Sequence, residues 1–306
     1  MRKKSIVIIG SSNTDMVIKT SHLPEPGETV IGGEFFMNAG GKGANQAVAA
    51  SRLGGRVSFI AKLGDDIFGR QALSLFKKEK LDISAVLTDR KKASGIALIT
   101  VDNKAENCIV VASGANASLL PKDLKKFSNK ITAASIVLMQ LETPLETIVY
   151  ASGLAAGKKI ITILNPAPAC PIPGELFKHI SIITPNEKEA AVLTGLPVHN
   201  VATAKQAAIA LHKKGVSTVI ITLGAKGALI YNGNKFFMVA APRVKAIDTT
   251  AAGDVFNGAL AVALSEDKSI LQAVEFACNA AAIAVTRLGA QSSAPFRREI
   301  KSDFLG

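Results

Sequence analysis

Tryptophan is absent from this chain, and only two tyrosines stand among its 306 residues. Aromatic residues make up 5% of it and are not interleaved with the basic ones. With no recognisable DNA-binding motif either, the formal charge of +12 does not mark a nucleic-acid surface. The basic residues are dispersed in groups such as Lys77-Lys78, Lys213-Lys214 and Arg297-Arg298. They read as a solvated surface that also attracts an anionic substrate. Three cysteines, Cys108, Cys170 and Cys278, lie far apart and suggest neither a disulfide framework nor a zinc site. The four histidines are scattered without metal-ligand spacing. No apolar run approaches the ~18 residues that span a bilayer. The run Ile6 to Ile9, after the basic Met1-Arg2-Lys3-Lys4, is too short for a signal peptide. A reducing, cytoplasmic location with no membrane partner is expected.

What the chain does have is rhythm. Strands are expected over 5–10, 57–61, 135–140, 160–164, 180–184, 218–223 and 228–231. Helices are expected over 44–53, 69–80, 145–156, 187–193, 204–214, 254–264 and 270–285. Continuous apolar strands alternating with amphipathic helices predict an α/β fold, a parallel sheet covered on both faces. Thr143-Pro144 reads as a helix start, a capping Thr followed by Pro in the first helical position. Two stretches break the rhythm. Residues 15–40 have no helical period and read as short strands around Pro24-Glu25-Pro26-Gly27. Residues 95–112 read as two strands, 96–101 and 108–111, around Asp102-Asn103-Lys104. Together, over about 14–40 and 95–112, they are expected to form a small sheet inserted in a single domain spanning 1–306. Placed over the carboxyl ends of the main strands, where open α/β folds bind ligands, it would act as a lid. An exposed apolar lid face predicts lid-to-lid pairing into a homodimer.

Five motifs carry chemistry. Asp248-Thr249-Thr250-Ala251-Ala252-Gly253-Asp254 joins a β-leaning run ending at Ile247 to a small-residue helix. Such a junction aims backbone N–H groups of Ala251, Ala252, Gly253 and Asp254 at an anion. A carboxylate there suits a phosphoryl group in transfer, with Asp254 taking a proton from the attacking hydroxyl. A plain strand-to-helix turn is the alternative. Gly40-Gly41-Lys42-Gly43-Ala44-Asn45-Gln46 is no P-loop, because Gly43 follows Lys42 and Phe36 stands five residues before Gly41. Its glycines let backbone approach a small polar ligand, with Lys42 and Asn45 as donors. Asn13 and Asp15, after the first strand, share a face and suit paired sugar hydroxyls, or simple turn chemistry. Asn186 and Glu189, three apart at a helix start, serve as a cap or hold hydrated Mg²⁺ beside phosphates. Thr222-Leu223-Gly224-Ala225-Lys226-Gly227 is a tight turn that suits a nucleotide, or a plain hairpin.

In this order, the motifs resemble the ribokinase-like (phosphofructokinase B) family of carbohydrate kinases, from Gly10 to about Pro295. Asn165-Pro166-Ala167-Pro168-Ala169, Thr184-Pro185-Asn186-Glu187 and Gly289-Ala290-Gln291-Ser292-Ser293 are similar to marks of its ribose-phosphorylating members. The resemblance implies a three-layer αβα core with a mostly parallel, doubly wound sheet and a β-sheet lid. It implies ATP-dependent phosphorylation of D-ribose at the 5-hydroxyl, with Asp254 as base and Ala251, Ala252, Gly253 and Asp254 as anion hole. Asn13, Thr14, Asp15, Gly41, Lys42, Gly43, Ala44, Asn45, Glu142 and Asp254 would hold the ribose. Asn186 and Glu189 would act on Mg²⁺ and phosphate, and Thr222 to Gly227, with Gly253 and Asp254, would line ATP. A potassium ion would be held by Asp248, Thr250, Ala284, Arg287, Gly289 and Ser293. Cys278 takes a position where the family often sets His or Asn against the adenine, with Asn279 next to it. A kinase for deoxyribose, fructose or adenosine, and a silent sugar-binding regulator, are the other readings.

Overall fold

The structure, a computed structural model, describes residues 4–104 and 106–300. Met1-Arg2-Lys3 of the basic N-terminus and residues 301–306, the two ends of the expected domain, lie outside the described residues. The strands are β1 (Ser5–Ile9), β2 (Asn13–Lys19), β3 (Glu34–Gly40), β4 (Arg56–Gly64), β5 (Asp82–Asp89), β6 (Gly95–Val101), β7 (Asn107–Ala112), β8 (Ile136–Met139), β9 (Ile161–Leu164), β10 (Ile182–Ile183), β11 (Thr218–Thr222), β12 (Ala228–Tyr231) and β13 (Phe236–Val239). Nine form one sheet in the order β13-β12-β11-β10-β9-β8-β1-β4-β5. Every pairing from β5 to β11 is parallel, and β12 and β13 add an antiparallel edge. The order reverses at β1, flanked by β4 and β8, so the crevice beyond its carboxyl end is the natural ligand position.

Alternation along β1 divides the core. Ile6 and Ile8 join one apolar cluster and Val7 and Ile9 the other, all four essentially without exposure. Burying such side chains stabilises the fold by about 1.5–3 kcal/mol each. The first cluster packs the helices Lys42–Arg52, Ala252–Ser265 and Ile270–Ala284 on one face. The second packs Leu145–Ala156 and Val201–Lys213 on the other. The expected three-layer architecture is therefore present. Alanine and glycine let the first two helices approach closely: a Cβ on Gly258 would come within 2.8 Å of the Gln46 carbonyl oxygen.

The expected small sheet is also present, in the order β3-β2-β6-β7. Its register puts Ile18, Phe35, Met37, Leu98 and Val110 on one face, all exposed. Asn13, Asp15 and the buried Val17 and Ala97 take the opposite face.

Several local expectations fail for identifiable reasons. The strands β5 and β13 and the short helices Pro121–Lys125, Ser128–Thr132 and Gly174–His179 were not foreseen. The strands lie at the two sheet edges, where half-exposed sequences lack a continuous apolar run. No strand leads into Ile247; residues 240–247 form an irregular segment, and Ile247 is 62% exposed. The helix Leu145–Ala156 begins one residue after Pro144, whose ψ of 132° is extended rather than helical, and the buried Thr143 hydroxyl caps nothing.

Candidate active site

At the carboxyl end of β1 the chain turns through Gly10-Ser11-Ser12 into β2, and the loop before the helix Lys42–Arg52 packs against it. Gly41 adopts φ +87°, and a Cβ there would come within 2.6 Å of the Asn13 amide nitrogen. This is a position only glycine fills without strain. Asn13 and Asp15 share a face of β2, as their spacing implied. Room for them comes from neighbouring strands: a Cβ on Gly95 would meet Asn13 Oδ1 at 2.2 Å, and one on Gly40 would meet Asp15 Oδ2 at 2.2 Å. Thr14 does not join them. It takes the other face of β2 and borders a cavity of about 210 Å³ against the helix Ile67–Lys78, which Ser12 and Asn13 also line.

Asp254 lies in the first turn of the helix Ala252–Ser265, 6% exposed. Asn45 Nδ2 donates to its Oδ2 at 2.8 Å and Gln46 Nε2 to its Oδ1 at 2.9 Å. The remaining atom of that amide, Asn45 Oδ1, is buried without a partner among the described residues and is free to accept a ligand hydroxyl. Glu142 accepts from the Ser11 hydroxyl at 2.5 Å and from the Lys42 N–H at 3.0 Å, which ties the lysine loop to the strand end.

Charge is concentrated here. Burial opposes the charge on the Lys42 ammonium, but Asp254, Glu142, Glu189 and Asp15 around it outweigh that and raise its pKa. Burial, and then repulsion by Glu142, push Asp15 up to about 6, with Lys42 pulling the other way. Burial also raises Asp254, against Lys42, Asn45 and Gln46. One half-buried cation thus sits among four carboxylates, an arrangement that accommodates a further positive charge beside an incoming phosphate.

Ala251, at φ +57°, forms the sharp entry to the helix. Of the four expected anion-hole groups, the Ala252 N–H turns back to the Thr249 carbonyl at 3.3 Å, whereas those of Gly253 and Asp254 have no acceptor among the described residues. A cleft of about 680 Å³ opens from Ala252 and Gly253 and is reached by Asn186, Thr222, Gly224, Ala225 and Gly227, while Asp254 and Glu189 do not line it. Leu223 does not reach it but packs into the core at 3% exposure, and Lys226 does not line it. The far wall includes Cys278, Ala281 and Val285 and the segment through Arg243 and Val244, whose part in the site no motif foretold. Burial, and then the Glu275 charge, push the Cys278 thiol up to about 12, so it lines the wall as a neutral group. Asn279 donates instead to the Glu275 carbonyl of its own helix.

Asn186 and Glu189 cap reciprocally: Glu189 N–H to Asn186 Oδ1 at 2.8 Å, and Asn186 N–H to Glu189 Oε2 at 2.9 Å. The cap commits one Glu189 oxygen and leaves the other for a hydrated Mg²⁺, which takes few protein ligands. Asp248 accepts from Thr250 N–H and Gly289 N–H, both at 2.8 Å. Burial works upward on its pKa, and these bonds hold it below the ordinary value. Both Asp248 oxygens are thus engaged by backbone N–H groups, and a cation there would have to share them. Ser293 is fully buried and donates to the Ala290 carbonyl, while the Arg287 side chain turns away to Glu299.

The resemblance-implied contacts at Gly43 and Ala44 are otherwise engaged. Their N–H groups donate to the Ser11 hydroxyl and carbonyl, at 3.4 and 2.8 Å. Conversely, Asn116 and Gln140, bonded to Asn13 and Gln46, were missed, and Asn165, bonded to Gln46, was read only as a mark of the resemblance. Gln140 carried a readable signal, a polar residue closing an all-apolar strand. Asn116 carried none, since Ser-Gly-Ala-Asn reads as a turn.

The pfkB family of carbohydrate kinases matches residues 3–297. A ribokinase of Haemophilus influenzae is 44% identical over 297 residues, 97% of this chain and 97% of its own. A deoxyribokinase of Salmonella typhimurium is 35% identical over 291 residues, 95% of each chain. The structure of Arabidopsis thaliana ribokinase complexed with ribose and ATP superposes with a TM-score of 0.92 at 32% identity, covering 97% of both chains. With that family model matching nearly the whole length, this chain belongs to the pfkB family of carbohydrate kinases.

Proposed function

We propose that this protein transfers the γ-phosphoryl group of ATP to the 5-hydroxyl of D-ribose, giving D-ribose 5-phosphate and ADP. The observation that carries the reading is Asp254, a buried carboxylate whose helix offers the free N–H groups of Gly253 and Asp254. Asp254 takes the hydroxyl proton as the sugar oxygen attacks phosphorus. The backbone N–H groups stabilise the charge on the transferring group, and the bond to ADP breaks. Asn13, Asp15, Gly41, Lys42, Asn45 and Glu142 orient the sugar. Asn186, Glu189 and the turn from Thr222 hold the nucleotide end, where Mg²⁺ would neutralise phosphate charge. At Asp248, Thr250 and the Ser293 hydroxyl, with the backbone carbonyls of Ala284, Arg287 and Gly289, K⁺ would hold the anion-hole loop in shape without touching substrate. A cytoplasmic homodimer joined through the apolar lid face fits the same reading. Among the described residues, no helix is long and apolar enough to cross a membrane.

The test is coupled ADP release with ribose, 2-deoxyribose and fructose, with and without potassium. Ribose is expected to give the highest kcat/KM, because buried groups arranged for hydroxyls reject analogues lacking them. Asp254→Asn is expected to lower kcat by about 10²–10⁴-fold while leaving ribose binding by calorimetry intact. Near-wild-type turnover of that variant would sink the assignment.

A further inference from the structure

Beneath Asp254 runs a chain of buried amides. Gln46 is fully buried and spends both amide hydrogens, one on Asp254 Oδ1 at 2.9 Å and one on Asn165 Oδ1 at 3.0 Å. Its Oε1 accepts from Gln140 Nε2 at 2.6 Å. The polarity is forced from one end. An ionised carboxylate only accepts, so Gln46 presents its NH₂ to Asp254, its Oε1 faces Gln140, and Gln140 donates. Gln140 is itself held by crowding: a Cβ on Gly10 would lie 2.1 Å from Gln140 Oε1. The chain also returns to the helix that carries Asp254. Asn165 Nδ2 faces the Thr184 carbonyl at 3.5 Å, the Thr184 hydroxyl donates to Asn257 Oδ1 at 2.7 Å, and Asn257 Nδ2 donates to the Gly253 carbonyl at 2.8 Å.

We propose that Gln46, oriented by Gln140, is a positioning residue that sets the rotation of the Asp254 carboxylate. Gln46 anchors Oδ1 from the core side, which leaves Oδ2, beside Asn45, as the edge that meets the substrate hydroxyl. A carboxylate free to rotate would spend much of its time with neither oxygen aligned to the proton it must accept. The inference rests on Asp254 being the base in the reaction proposed above. It adds why a buried amide, rather than an apolar side chain, occupies this point of the core: every polar atom of the Gln46 side chain is bonded, which specifies one geometry for it, while Gln140 Oε1 is buried without a partner among the described residues. The charged groups facing Asp254 are Lys42, Glu142, Asp15 and Glu189. A neutral substitution at Gln46 leaves all four in place.

Gln46→Met and Gln140→Met, compared with wild type in steady-state ribose phosphorylation, test this. Gln46→Met is expected to lower kcat about a hundredfold with the ribose KM within about threefold, and Gln140→Met, which does not touch Asp254, to lower kcat about tenfold with the same split. The acid limb of the kcat profile is expected to move upward in Gln46→Met, because the ionised carboxylate has lost a donor. A kcat within about twofold of wild type in both variants, or a loss carried by KM alone, overturns the proposal. Should Gln46→Met not fold, Gln140→Met decides by the same criteria. Wild-type protein without ribose-dependent ADP release defeats the functional reading itself, a different result from active wild type with indifferent variants.

Discussion

Asn116 dictates which way Asn13 faces. Its Nδ2 donates to Asn13 Oδ1 at 2.8 Å, while its own Oδ1 takes the Ser12 N–H at 2.9 Å. With Oδ1 committed, the Asn13 amide offers its NH₂ outward, so it donates to a bound hydroxyl rather than accepting from it. Asn116→Ala frees that amide and leaves a buried acceptor unpaired. The expected result is a rise of about tenfold in the ribose KM with kcat largely kept, and a stability loss of about 1–3 kcal/mol. Steady-state kinetics and denaturant melts measure the two; an unchanged KM would mean that Asn13 does not read the sugar.

Asp15 makes both stability and sugar affinity depend on pH. Its folded-state pKa, about 6, lies above the ordinary 3.8, so the folded protein binds this proton more tightly than the unfolded chain. The stabilisation by neutral Asp15 is complete below the lower value and lost as pH rises through the upper one. Asp15→Asn is therefore expected to raise Tm by a few degrees near about pH 8 and to change it little near about pH 4. In the wild type, the ribose KM should rise as pH falls below about 6, where the carboxylate stops accepting hydroxyl bonds. A Tm gain of the same size at both pH values contradicts the assignment.

Gly41→Ala is expected to be poorly tolerated. The backbone holds φ +87°, and the new Cβ would lie 2.6 Å from Asn13 N and 2.7 Å from Ser12 Cα, neither of which can swing aside. A cost of about 1–3 kcal/mol in stability follows, with weaker ribose binding because the strand end and the lysine loop are pushed apart. Thermal melts and calorimetry read both, and a variant with wild-type Tm and affinity argues against close approach here.

The exposed face of the small sheet carries the proposal of a dimer. Leu98 and Val110 are neighbours across β6 and β7, at 51% and 62% exposure. Leu98→Glu with Val110→Lys is expected to turn a dimer into a monomer in sedimentation runs, with the melting of the core unchanged. A wild type that sediments as a monomer, or a dimer that survives both changes, removes the lid face as the interface.

The α/β rhythm was legible because strands buried on both faces are continuous apolar runs, as in Val7 to Ile9 and Ile136 to Met139. The edges were not, since β5 and β13 are half exposed and their composition resembles loops. The same division holds in the site. Local chemistry singled out Asn13, Asp15, Lys42, Asn45, Glu189 and Asp254 as candidates, because charges and amides beside glycines at strand ends are costly to bury unless they are paired. It could not tell where Thr14, Leu223 and the N–H groups of Gly43 and Ala44 face, because pleat, core packing and Ser11 decide that.

By itself the sequence determined the layers, the order of the motifs and the identity of the acid at the helix start. These follow from periodicity and from backbone rules that act over a few residues. Only the tertiary structure decided that Gln46, Gln140 and Asn165 meet beneath Asp254, and that Asn116 reaches Asn13 from 103 residues away. Hydrogen bonds between distant segments leave no local pattern. They exist because the reversal of strand order at β1 brings those segments to one end of the sheet.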